Sequence, residues 1–198
     1  MKKRFSVFMA FVLVFSAMPI NVLAQSQPSD DKPDEQLIQK ADEFVVLEDG
    51  LFSITNEEGL SDTLTSDEFE TVENLIEEAN SNLQDVDLSA NNVDVINNSV
   101  VISPESESSE KVGTLAKEGK RGIKFHWASV DIWLTKTDVS AIRKGGVTGG
   151  ATYLGSLFGV AGAVAGAVAS TIINQYTKSE AIKINHTYIL GVTTITPQ

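Results

Sequence analysis

The chain has 198 residues, a net charge of −12, no Cys and only two His. Without Cys there are no disulfide staples, thiolate metal sites or thiol nucleophiles, and two His exclude a multi-His centre. The acidic balance argues against general nucleic-acid binding, and the length fits one domain or two small ones.

Lys2, Lys3 and Arg4 precede an almost wholly apolar run from Phe5 to Ile20, and Val22-Leu23-Ala24 comes next. This order predicts a cleavable signal peptide over residues 1–24, cut after Ala24, and hence a protein that is secreted or held in the extracellular cell envelope. The competing reading is an N-terminal anchor, which needs about 20 apolar residues. Residues 25–34 are rich in Ser, Asp, Pro and Gln and read as a disordered leader.

Charge divides the chain beyond residue 24. Residues 25–118 carry 24 acidic and 4 basic side chains, whereas residues 119–198 carry 8 basic and 3 acidic. One reading is a solvated acidic domain. The other is an acidic pro-region that shields a cationic, apolar half until the two are separated.

Residues 35–83 form the acidic helical region. Leu37, Ile38, Ala41, Phe44 and Val45 fall on one face of a helix running from Asp34 to Val46, and Glu48-Asp49-Gly50 ends it. Leu51–Ile54 is a short extended piece. Thr65 caps a second helix, with Glu68 completing a capping box and Phe69, Val72, Ile76, Ala79 and Leu83 forming its apolar stripe. Residues 84–121 read as a linker, in which Val93, Val95, Val100 and Ile102 supply one isolated strand at most. Lys120-Arg121 closes it and is a candidate processing site, although such pairs also arise in linkers by chance.

In the back half, Ile123, Phe125 and Trp127 alternate, and then Val130, Ile132 and Leu134 alternate in the opposite phase. This predicts a strand with a bulge or bend. Trp127 and Trp133, both on it, are either core residues or membrane-interface anchors. Thr137–Lys144 reads as a short helix capped by Thr137 or Asp138 and stopped by Gly145-Gly146. From Gly145 to Thr177 there is no charged residue. Gly155, Gly159, Ala163 and Ala167 recur every four residues, and Gly162, Gly166 and Ser170 form a second row. Such rows lay a helix-packing groove that lets another backbone approach closely.

A helix this rich in Gly needs burial, because each Gly costs about 0.8–1.0 kcal/mol relative to Ala. Leu154–Ile173 has the length of a membrane span, but eight Leu, Ile, Phe and Val among its 20 residues make insertion marginal. The segment either enters a bilayer conditionally, self-associates, or is a buried core helix or a helical hairpin turned near Gly159–Gly162. Ala181–Thr196 is β-like and pairs with 123–134, closing a β-α-α-β module over residues 122–198. His126 and His186 then lie on facing strands without carboxylate neighbours, too sparse for a metal site. No nucleophile elbow, phosphate loop or zinc motif is present. The expectation is a non-enzymatic protein with no catalytic residues, cofactors, nucleic-acid partner or identified small-molecule substrate.

Two stretches carry a resemblance. Ala41–Leu47 with the Ser66–Leu83 helix, and Lys124–Leu134 with the Gly/Ala helix and the tail ending in Thr196-Pro197-Gln198, together resemble a group of small, little-characterised exported proteins of Gram-positive bacteria. They span most of the chain beyond residue 24. The Gly/Ala segment is also similar in composition to bacteriocin helices, which use small-xxx-small faces to pair inside target membranes. The resemblance implies export and action at a membrane and assigns no chemistry. The expected fold is α+β: an acidic helical N-terminal region, a linker and the C-terminal module. The expected function is membrane interaction of a bacteriocin-like kind, and the alternative is an extracellular binding or envelope module whose Gly/Ala helix is core.

Overall fold

Asp49-Gly50 sets the first turn. Both residues take positive φ, 50° and 85°, as a two-residue primed turn requires. Around it β1 (Val45–Glu48) pairs antiparallel with β2 (Leu51–Ile54). The helix expected to reach Val46 therefore ends early, and α1 covers Pro33–Ala41. Two adjacent β-branched residues followed by Asp-Gly favour the ladder over a further helical turn. A computed structural model describes residues 33–104, 119–188 and 191–198. The expected signal peptide, its cleavage residue Ala24 and the leader up to Lys32 lie outside the described residues, as do residues 105–118 of the expected linker. Pro33–Gln198 forms one compact unit.

After β2 comes α2 (Glu57–Thr63), a two-turn helix capped by the Asn56 side chain, which accepts from the Gly59 N–H. Then α3 (Ser66–Leu83) starts at Thr65 with the expected capping box to Glu68. Its Val72, Leu75, Ile76, Ala79 and Leu83 are buried. Asn80 on the same helix brackets the Phe52 backbone, accepting from its N–H at 2.7 Å and donating to its carbonyl at 2.9 Å.

The remaining strands build a six-stranded antiparallel sheet in chain order: β3 (Val93–Val95), β4 (Val100–Ile102), β5 (Gly122–Phe125), β6 (Ser129–Leu134), β7 (Ile182–Thr187) and β8 (Thr193–Pro197). Three features differ from the sequence reading. The segment read as linker holds two strands of this sheet, joined at Asn97-Asn98 with φ of 48° and 56°. Asn tolerates that left-handed conformation, which a primed turn demands. Residues 123–134 are a hairpin rather than one bent strand. The His126 N–H donates to the Ser129 carbonyl at 2.8 Å and closes a turn over Trp127-Ala128, so the change of phase is the turn itself. Residues 181–196 divide into β7 and β8.

Register then sorts the faces. Ile102, Ile123, Ile132 and Ile184 stand opposite one another across β4 to β7 and are buried. This face lies under α4 (Lys136–Ile173), which contacts β5, β6 and β7. The other face carries Lys124, Asp131, Trp133, Lys183 and Asn185. The cap of α4 is Thr135 rather than Thr137 or Asp138, and Asp138 serves as the third residue of its capping box. The architecture is mixed α+β, with four helices and two sheets among the described residues.

Candidate functional site

Helix α4 is not straight. Gly146 and Gly159 take φ of 63° and 65° and divide it into segments 136–145, 147–158 and 160–173. Positive φ is the conformation glycine adopts without a Cβ clash. The second and third segments fold back on each other as an antiparallel hairpin whose tip is Gly159. The small residues singled out in the sequence line the contact. A Cβ on Gly155 would stand 3.4 Å from that of Ala163, and one on Gly166 would stand 2.7 Å from the Ala151 Cα and from the Gly150 carbonyl. One on Gly162 would overlap the Leu154 carbonyl, and one on Gly150 the Ser170 hydroxyl. Gly162, Gly166 and Ser170 are buried, whereas Gly159, Ala163 and Ala167 are exposed. One of the two rows is thus an internal seam, and the other mostly faces outward.

On the sheet side, Leu154, Phe158, Ala161, Ala165, Ala169 and Ile173 are buried. On the outer side, Val147 and Val160 are about half exposed. Three exposed hydroxyls there bond back into their own helix: Thr152 to the Thr148 carbonyl at 3.0 Å, Ser156 to Tyr153 at 2.7 Å and Thr171 to Ala167 at 3.2 Å. By length and composition α4 is apolar enough to cross a membrane. Its arms of 12 and 14 residues are each only about 18–21 Å long at 1.5 Å per residue. That is short of a hydrocarbon core of about 30 Å.

The base of the hairpin is closed by Arg143. Its guanidinium donates to the Ser179 hydroxyl at 2.6 Å and to the Tyr176 and Lys178 carbonyls at 2.7 Å each. The two ends of the uncharged run are thereby brought together, with cationic residues at one end and an uncharged tip at the other.

The two Trp residues part company. Trp127 is 3% exposed and donates its indole N–H to Asp42 at 3.1 Å, fastening the end of α1 to the sheet. Trp133 is half-buried on the outer sheet face, with the Lys183 ammonium 5.0 Å from its ring centroid, a cation–π contact.

That outer face holds a polar cluster which sequence reasoning missed. Asp131 lies 3.0 Å from the Lys183 ammonium and 3.5 Å from His126 Nε2, and it accepts from the Asn185 amide at 2.9 Å. Burial pushes its carboxyl up, but these hydrogen bonds and the Lys183 charge outweigh burial and hold it down at about 2. His126 Nδ1 faces the Ser99 hydroxyl at 3.2 Å. Hydroxyl, imidazole and carboxylate thus follow in the order of an acyl-transfer relay. However, Ser99 is 1% exposed and Asp131 is shared with a lysine and an amide, so the cluster braces β4, β6 and β7. A cleft of about 460 Å³ beside it is lined by Asp42, Asn97, His126 and Asn185 among others. His186 turns to the opposite face, opposite Val130, with Nδ1 2.9 Å from the Thr193 hydroxyl, so the two His do not meet. Among the described residues no three His, Asp or Glu are grouped to hold a metal.

The dibasic pair is built into the fold. The Lys120 N–H donates to the Gln198 side chain at 2.8 Å, and Arg121 forms a bidentate pair with Asp138. No family model, curated protein or solved structure matches this chain.

Proposed function

We propose that this is an exported, non-enzymatic, bacteriocin-like protein that acts at membranes, with the hairpin of α4 as its lipid-interacting element and the acidic half, residues 25–118, as a shielding pro-region. The observation that carries the reading is the hairpin itself. It has 33 uncharged residues from Gly145 to Thr177 and glycine seams that satisfy its packing internally. Its outer-face hydroxyls at Thr152, Ser156 and Thr171 are returned to its own carbonyls. Helices in lipid need such internal satisfaction.

The acidic half shields in two ways under this reading. It supplies most of the negative charge, and its β4 pairs with β5, with Val100 opposite Phe125. Removing residues up to 118 would strip β3 and β4 from the sheet beneath the hairpin and leave the β5 edge bare. Release of the hairpin and loss of the acidic half are then one event.

A second reading has its own support. Leu154, Phe158 and Ile173 are at most 4% exposed, as the core of an extracellular binding or envelope module would be. Dye release from anionic vesicles separates the two, measured with residues 25–198 before and after proteolysis of the acidic half. Release that grows on cleavage supports membrane action. No release in either state overturns it and leaves the envelope module. Mass spectrometry of the exported species shows whether the halves part in culture.

A further inference from the structure

The cations of the back half are not scattered along α4 and its flanks. Lys136 and Lys144 are exposed and lie two helical turns apart on the first segment, bounding a shallow cleft of about 410 Å³ with Thr137, Ser140 and Ala141 between them. Lys178 is exposed at the other end of the uncharged run. Arg143 pins residues 176–179 beside this segment, so Lys178 comes to the same end of the hairpin as Lys144. The nearby acids do little to cancel them. Asp138 is buried and paired with Arg121. Glu180 lies 3.9 Å from the Lys178 ammonium in an exposed pair, an arrangement of small worth.

We infer that the base of the hairpin is a docking surface for anionic phospholipid headgroups, contacted by Lys136, Lys144 and Lys178, with Val160 at the tip presented to the acyl region. The inference rests on the proposed membrane action and specifies its partner. Two features favour a lipid surface as the occupant. The cations lie at one end of the hairpin and an uncharged surface leads from them to the tip, so the basic end can meet anionic headgroups while the tip reaches toward the acyl region. On that face the Thr152, Ser156 and Thr171 hydroxyls already have acceptors in their own helix, so contact with an apolar phase strands none of these three donors. Arg143 belongs to the fold, because its guanidinium is spent on closing the base.

The test uses residues 25–198, the exported form expected from cleavage after Ala24, which contains the whole described fold. Partition is measured before and after proteolysis of the acidic half, onto vesicles rich in phosphatidylglycerol and onto vesicles of phosphatidylcholine alone, at low and high salt. Each basic side chain near an anionic surface is worth about fivefold, so three give a preference of about a hundredfold for the anionic vesicles. That preference should disappear in high salt and in the triple variant K136Q/K144Q/K178Q, whose near-UV circular dichroism should match the parent because all three side chains are exposed. Val160→Asp should weaken binding to both vesicle types. If the triple variant keeps the parent's anionic preference, the headgroup assignment is overturned while the membrane reading stands. If neither the parent nor the protein freed of its acidic half by proteolysis binds either vesicle, both fall.

Discussion

The Arg121 guanidinium grips the Asp138 carboxylate with two parallel hydrogen bonds, Nε to Oδ2 at 2.9 Å and Nη2 to Oδ1 at 2.7 Å, and the Asp138 side chain is fully buried. The same carboxylate accepts from the Tyr153 hydroxyl at 2.7 Å and from the Thr135 N–H at 2.9 Å. One side chain therefore joins the start of β5, the cap of α4 and the first arm of the hairpin. A trypsin-like protease needs its arginine extended and free, which this geometry denies. Folded residues 25–198 should resist cutting at Lys120-Arg121. Asp138→Ala should cost about 3–5 kcal/mol, since it leaves a guanidinium without its buried partner, and should make that bond labile. Urea titration and fragment masses check both statements, and prompt cleavage of the parent at Arg121 would contradict the first.

Acid should unfasten the protein through two carboxylates. Burial raises both Asp131 and Asp138, yet in each case hydrogen bonds to charged and polar partners win and the net shift is downward. A carboxyl depressed in the folded state contributes stability that is whole above its unfolded value near 3.9 and is lost as pH falls through the folded one. For Asp131, held at about 2, this is on the order of 2 kcal/mol, lost between about pH 4 and pH 2. Denaturant midpoints should fall over that window. Asp131→Asn should flatten part of the fall while lowering stability at pH 7.

His186 works in a different window. Burial on the core side of β7 pushes its imidazole below the ordinary value, so the unfolded chain takes up protons first. Its contribution is present at neutral pH and erodes as pH drops below about 6.5. His186→Gln, which can still reach Thr193, should remove the decline in stability between pH 7 and pH 5.5 that the parent shows.

The legible parts of the fold were those with local chemistry. Thr65 and Glu68 announce α3 by a capping box that needs nothing from the rest of the chain, and the small rows from Gly155 to Ser170 announce a close helix seam. The turn at Trp127-Ala128 was illegible because neither residue takes positive φ and neither is a usual turn former, so the hairpin looked like a single bent strand. The turn at Asn97-Asn98 did carry a signal. A pair of left-handed-tolerant residues between Val93, Val95 and Val100, Ile102 is a hairpin pattern, masked by the polar segment around it. The Asp131 cluster gave no motif, because its members come from β6, β7, the turn after β5 and Ser99 just before β4. Only the register of β6 with β7, which sets Asp131 opposite Asn185, assembles it.

Two helical glycines should respond in opposite directions to the same change. At Gly149 a Cβ meets nothing within 4 Å, whereas at Gly162 it would run into the Leu154 carbonyl. Gly149→Ala should stabilise by about 0.4–1 kcal/mol, by restricting the unfolded chain and favouring helix. Gly162→Ala should destabilise by about 1–3 kcal/mol, because the arms must part. Thermal or urea unfolding of both variants checks the signs. Equal effects would mean that the arms do not approach closely at Gly162.

Gly159 makes the sharpest demand on the membrane reading. Its φ of 65° turns the hairpin, yet a Cβ there meets no atom within 4 Å, so a substitution acts through backbone preference alone. With ψ of −144° this is a conformation that essentially only glycine enters, so an L-residue there costs roughly 1–3 kcal/mol, and Ala relieves the cost by taking helical angles. Residues 147–173 would then run as one helix of about 40 Å, enough to cross a hydrocarbon core of about 30 Å that neither arm spans singly. Gly159→Ala should therefore lower stability in water by about 1–3 kcal/mol and raise partition into vesicles, with a gain in helical circular dichroism on binding. A variant that loses stability without gaining partition would show that the hairpin does not open on the way into lipid, and that any membrane action belongs to the folded hairpin lying at the interface.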